Sequence, residues 1–185
     1  VVTTLKAKGA FPENHPLSVG VRGDHVVKYM EEADLIFAVG SSLSPGRFGH
    51  GVPDPINKTI IQCNIDEFDV NRVYESTHAI IGDAKDTLTS LLAELGSSSS
   101  NRADVTDAVK AEKDSGMKVY RDAMASDETP INPYRVYAEL ENTLDKNNSF
   151  VTHESGNTRD QLCTSYETLI PRGFLGWGNV SSLGY

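Results

Sequence analysis

His153, Glu154 and Ser155 stand side by side in SFVTHESGNTR, Ser149 to Arg159, where a short apolar run meets a glycine and then a helix-like start. These side-chain types can form a hydrolytic trio, ligate a metal or border an anion. A trio requires the base to reach the nucleophile, which is usually presented on a strand-to-helix elbow of the form GxSxG. No glycine lies two before Ser155. Adjacent residues on a strand point to opposite faces, so His153 and Glu154 cannot both turn toward Ser155. The same alternation removes the pair as joint metal ligands, and neither HExxH nor CxxC spacing occurs in the chain. What remains is a polar strand end feeding a helix N-terminus, whose free N–H groups and positive dipole end favour an anion such as a diphosphate.

Two other strand ends carry polar side chains. In ADLIFAVGSSLSPGRFGHG an apolar run closes at Gly40 and opens into a loop with Ser41, Ser42, Ser44, Arg47 and His50. In open α/β sheets ligands bind beyond the carboxyl ends of strands, so this loop suits a phosphate or nucleotide; the alternative is an ordinary turn. It is neither GxGxxG nor a Walker loop. In TIIQCNIDEFDVNRVY the strand ends at Asp66 and Glu67. Asp66 is placed either to accept from a ribose or to cap a helical turn over Asp69–Tyr74.

The elements that must position these groups alternate. Strand-like runs at Val1–Thr4, Leu35–Gly40, Thr59–Asp66 and Ala79–Gly82 are nearly continuous in apolar residues, as in strands buried on both faces. Between them Val26, Tyr29, Met30 and Ala33 recur at helical spacing, as do Leu88, Leu91, Leu92 and Leu95 after Asp83, a residue suited to the N-cap. The pattern predicts an open parallel α/β sheet with helices on both faces over residues 1–95. GSSSSN then breaks all periodicity, and a charged stretch to Ala125 carries an apolar stripe of Val105, Val109, Met117, Tyr120 and Met124, interrupted by Gly116. Residues 96–130 therefore read as a linker with a helical segment. The pattern restarts at 131: Asn132 as cap, Pro133 at the first helical position, and Val136, Tyr137, Leu140 and Leu144 as the inward face. A strand at Ser149–Thr152, a helix near Thr158–Tyr166 and a strand near Gly173–Gly176 make the third piece, 131–185, α/β as well.

The 185 residues are 38% hydrophobic with net charge −9, and the isoelectric point is near 5.0. That balance argues against a nucleic-acid partner, and no apolar run approaches the length of a bilayer span. Cys63 and Cys163 sit in apolar or helical surroundings, as buried reduced thiols of a cytoplasmic protein do. The chain starts without methionine and stops in a Gly-rich turn, which reads as a piece of something longer.

The order of these segments resembles the thiamine diphosphate-dependent enzymes of the acetolactate synthase, benzoylformate decarboxylase and oxalyl-CoA decarboxylase superfamily. TTLKAKGAFPENHPLSVG, ADLIFAVGSSL, IIQCNIDEFDVNR and AIIGDAKDTLTSLLAEL are similar to its middle domain. INPYRVYAELENTL, FVTHESGNTRDQ and PRGFLGWGNVSSLGY are similar to the start of its diphosphate-binding domain. The resemblance implies a middle domain of the DHS-like nucleotide-binding type, holding FAD, ADP or nothing, and a thiamine diphosphate fold from residue 131.

Carried over by motif, Glu154, Ser155 and Gly156 lie against the cofactor diphosphate. Ser181, where the family often has glycine, offers a carbonyl to the aminopyrimidine, and Leu183 wedges the cofactor into its bent form. Gly40, Ser41, Arg47, Asp66 and Asp83 mark the nucleotide site. Thiamine diphosphate with Mg²⁺ is the implied cofactor, and the implied partners are a 2-oxoacid or acyl-CoA-type substrate and further copies in a homodimer or homotetramer. The implied activity is that of a decarboxylase or carboligase, a lyase or transferase. The family's Gly-Asp-Gly and Asn metal motif and its activating glutamate find no match in this sequence, so the chain alone is expected to be inactive. The alternative is a non-catalytic module binding FAD, ADP or NAD.

Overall fold

The computed structural model describes residues 1–46, 51–96, 104–177 and 183–184. Two compact units divide the chain by packing: Val1–Val27 with Asp104–Tyr185, and Lys28–Ala103.

In the unit Lys28–Ala103, β1 (Leu35–Val39), β2 (Thr59–Asn64) and β3 (His78–Ile81) form a parallel sheet in the order β1-β2-β3. Leu35 pairs with Thr59, and Ile61 with His78. Apolar and β-branched side chains favour these strands, and the central strand buries Ile60 and Cys63. Helices flank the sheet. The division falls within α1 (Asp24–Glu32), whose buried residues His25 and Val26 belong to the other unit. α2 (Ala84–Leu95) starts where the Asp83 carboxylate accepts from the N–H groups of Lys85 at 2.8 Å and Asp86 at 3.2 Å, the cap that the sequence predicts. Its leucines set the helical period, yet no residue of α2 is buried, and Leu92 is 71% exposed.

The N-terminal strand expected at Val1–Thr4 shrinks to one bridge, Val2 with Gly20, because a 3₁₀ turn at Leu5–Ala7 follows at once. The helical turn expected at Asp69–Tyr74 is likewise replaced by a 3₁₀ turn at Glu67–Asp69.

The other unit holds α3 (Thr106–Met124), α4 (Pro133–Thr143), α5 (Asn157–Ser165) and a parallel pair, β4 (Val151–Thr152) with β5 (Phe174–Leu175). Asn132 caps α4 by accepting from the Tyr134 N–H, and Pro133 occupies the first turn as predicted. α3 packs on α4 through Tyr120 against Tyr134, and Tyr137 reaches α5 with a hydroxyl donated to Gln161 Oε1 at 3.0 Å. Of the predicted α3 stripe only Val109 is buried, and the helix runs unbroken through Gly116.

A buried ion pair anchors the N-terminal segment to this unit. Lys8 Nζ donates to Glu13 Oε1 at 2.6 Å, and Glu13 Oε2 also accepts from the Thr168 N–H at 2.7 Å. Both side chains are nearly inaccessible, at 1% and 6% exposure. Lys8 lies 5.4 Å from the centre of the Phe174 ring, which places a second favourable contact on the charge.

Candidate functional site

β4 is held to β5 by the Val151 N–H on the Gly173 carbonyl, and the chain then leaves the sheet toward α5. β4 ends at Thr152, one step short of the pair, and just beyond it His153 is buried while Glu154 is exposed. The His153 ring packs on Phe174 at 5.4 Å between centres. Its Nδ1 lies 2.9 Å from the Glu154 carbonyl oxygen, which can only accept, so Nδ1 carries the proton. Nε2 is then a buried lone pair, and it has no partner. Burial lowers the affinity of this imidazole for a second proton, and the bond to the Glu154 carbonyl opposes the shift.

Gly156 takes φ +90°, ψ −146°, a conformation that glycine alone adopts without strain. A Cβ built there would meet nothing within 4 Å, so the space in front of the backbone is open. No side chain caps α5, which leaves its first N–H groups without a side-chain acceptor. An anion approaching Gly156 would meet open backbone and an uncapped helix end, so the residues present fit a diphosphate. Glu154 Oε1 accepts from the Gly184 N–H at 2.8 Å, which draws the turn at Leu183 to the same strand end. Leu183 is 80% exposed there. Ser155 is half-buried beside it. Ser181 lies outside the described residues.

The sheet ends on a second edge. Gly40 N–H donates to the Cys63 carbonyl and Gly82 N–H to the Asn64 carbonyl, so Gly40, Asn64 and Gly82 finish in one row. Gly40 has φ +64°, and the Ser41 hydroxyl accepts from the Leu43 N–H. Asp66 accepts from the Phe68 N–H at 3.0 Å, and Asp83 caps α2. Arg47 lies outside the described residues. Beside this edge a groove of about 540 Å³ opens, lined by Phe37, Ile80, Gly82, Asp83, Thr87 and Leu91 among others.

Sequence reasoning missed the residue that organises this edge. Gln62 is 1% exposed, and both ends of its amide are satisfied. Its Nε2 donates to the carbonyls of Ser41 and Asp69, and its Oε1 accepts from the Asn71 N–H and the Ser76 hydroxyl. The signal was present as the Gln62 amide in the middle of TIIQCN, flanked by Ile61 and Cys63, which suit a buried strand. Asn64, at the end of the same strand, is 7% exposed with its Nδ2 unpartnered. Among the described residues no three His, Cys, Asp or Glu side chains gather as a metal site, and no helix is long and apolar enough to cross a membrane.

Comparison with known proteins agrees with this architecture. Residues 1–91 match the family described as thiamine pyrophosphate enzyme, central domain. The whole chain aligns over 203 residues, at 28% identity, with a probable acetolactate synthase large subunit of Methanocaldococcus jannaschii, of which it covers 32%. It aligns at 27% identity with that of Methanococcus aeolicus, covering 33%. The acetolactate synthase large subunit of Corynebacterium glutamicum is 32% identical over 113 residues, which are 59% of this chain and 18% of that protein. The chain thus spans about a third of the length of the two relatives that it matches end to end.

Proposed function

We propose that the chain is part of a thiamine diphosphate-dependent 2-oxoacid decarboxylase or carboligase of the acetolactate synthase type, a reading supported by the match of residues 1–91 to the thiamine pyrophosphate enzyme central domain. The observation that carries this reading is the bond from the Gly184 N–H to Glu154, which joins two segments 30 residues apart that the reading assigns to one cofactor. Bound thiamine diphosphate supplies the carbon nucleophile that 2-oxoacid chemistry needs. The chain's own residues bind and orient. The uncapped end of α5 and the open backbone at Gly156 receive the diphosphate, with Ser155 at its border. Leu183 would press an apolar side chain against the cofactor, and the resemblance assigns a carbonyl contact to Ser181. Glu154 holds the turn to the strand end.

In the complete protein this reading includes Mg²⁺ on the diphosphate, a lyase or transferase reaction on a 2-oxoacid or acyl-CoA-type donor, a cytoplasmic location and a homodimer or homotetramer. The isolated chain is expected not to turn over. The test is pyruvate consumption by the protein translated from the complete reading frame. It should require added thiamine diphosphate and Mg²⁺, and Gly156→Ala should remove it. A complete protein that consumes no 2-oxoacid under those conditions would overturn the reading.

A second reading has its own support. Asn64 Nδ2 is a buried donor without an acceptor, at the carboxyl edge of a parallel sheet where nucleotides bind in open α/β folds. The unit Lys28–Ala103 would then hold FAD, ADP or NAD, with Gly40, Ser41, Arg47, Asp66 and Asp83 around it. Calorimetric titration with FAD, ADP and NAD separates the cases. Binding that Asn64→Leu weakens would support a nucleotide there, and no heat with any of the three would refute it.

A further inference from the structure

His25 lies outside both sites, and its surroundings are unusual for an imidazole. It is 2% exposed on the first turn of α1. Its Nε2 is 3.0 Å from the Val19 carbonyl, which can only accept, so Nε2 carries the proton and Nδ1 the lone pair. Nδ1 is buried without a partner. The ring sits in a slot whose walls are glycines. A Cβ on Gly116 would fall 2.3 Å from Nδ1 and 2.9 Å from Cγ, and a Cβ on Gly23 would fall 2.5 Å from Cε1. Gly116 lies in the middle of α3, where glycine is less favourable to a helix than alanine. The cost has a structural reason here, because only glycine lets the helix close over the ring. A cleft of about 180 Å³ opens beside the slot, lined by His25, Lys113, Met117 and Arg121 among others.

We propose that His25 is a pH-sensitive latch for α3: the neutral ring seats the helix through the Gly116 slot, and a proton on Nδ1 releases it. The proton would sit beside Gly116 of α3, where Nδ1 has no hydrogen-bond partner among the described residues. The charged groups nearest the ring are Lys113, which opposes a second positive charge, and Glu112 on α3 and Asp24 on α1, which favour one. Glu13, Arg22 and Arg121 face the same cleft, as do Glu141 and Glu167. Glu13 is already engaged by Lys8 and by the Thr168 N–H, and Glu141 by Lys146 and the Glu167 N–H. Burial outweighs the acids, and the affinity of His25 for a proton lies below that of a free imidazole.

The sign follows. The undocked ring takes up a proton below about 6.5 and the docked ring does not, so docking is strongest above that pH and weakens as the pH falls. One proton of linkage allows up to about tenfold per pH unit in the open-to-closed ratio. The test is amide exchange followed by mass spectrometry over residues 106–124, corrected for intrinsic rates, between pH 7.5 and 5.0. Exchange should rise at least fivefold as the pH falls, and in His25→Gln, whose amide can still donate to the Val19 carbonyl, it should be flat. Flat exchange in the wild type, or an unchanged rise in His25→Gln, would overturn the latch. Proton NMR titration of the His25 ring in the wild-type chain decides independently: an apparent pKa at or above that of a free imidazole would also overturn it.

Discussion

At the scale of single residues, two side chains that carry no chemistry hold the most at stake. Gln62 satisfies four partners from inside a buried strand. Replacing it with leucine keeps the volume but removes four part-buried hydrogen bonds, each worth about 1 kcal/mol. Gln62→Leu should therefore destabilise the chain by about 3 kcal/mol or more in urea unfolding; a loss under 1 kcal/mol would show that water replaces the amide. Lys8→Met leaves the Glu13 carboxylate buried without its cation, a change that typically costs about 3–5 kcal/mol. The double replacement Lys8→Met with Glu13→Leu should recover part of that loss, measured by the same unfolding curves. Neither role was legible in the sequence. KAKGAFPE shows a lysine and a glutamate at ordinary loop spacing, and only burial makes them a pair.

At the scale of elements, local signals were dependable where they act through the backbone. Asp83 before α2 and Asn132–Pro133 before α4 were readable because a cap needs only its own next three residues. Asp83→Ala should cost about 1 kcal/mol of stability, seen as a shift in the urea midpoint with unchanged slope. The leucines of α2 show the limit of the same reasoning. Their spacing gives the helix, but it does not say what covers it, and Leu92→Ala should change stability by less than about 0.5 kcal/mol, the range of an exposed surface change. α3 is a surface helix tied along its outer face by Lys110, Asp114 and Arg121. Hydrogen bonds from Lys110 and Arg121 hold the Asp114 carboxyl down at about 2. Their support for the helix is present above the ordinary carboxylate pKa near 3.8 and disappears as the pH falls toward 2. Gly116 read as a weak point in this helix until His25 supplied the reason for it.

For the molecule as a whole, the first 27 residues pack with Asp104–Tyr185, although they lie within the stretch 1–91 that matches the central-domain family. Hydrogen exchange in rising urea checks this. Amides of residues 1–27 should lose protection together with those of α4 and α5, at a denaturant concentration distinct from that of β1, β2 and β3, since cooperative units open as units. Loss of protection of residues 1–27 together with the sheet would contradict that grouping.

Periodicity and capping act over a few neighbouring residues, so the α/β class and the caps at Asp83 and Asn132 were legible in the sequence, and the missing GxSxG elbow argued against a His-Glu-Ser trio. The order of its segments also pointed to the thiamine diphosphate enzymes, and the family match over residues 1–91 agrees. Tertiary structure alone decided what depends on distant residues meeting. The joining of Glu154 to Gly184, the burial of Lys8 with Glu13, the four partners of Gln62 and the seating of His25 on Gly116 each bring together groups from separate segments. Spacing along a chain carries no information about such meetings, since burial and desolvation, which set their energies, exist only once the chain has folded.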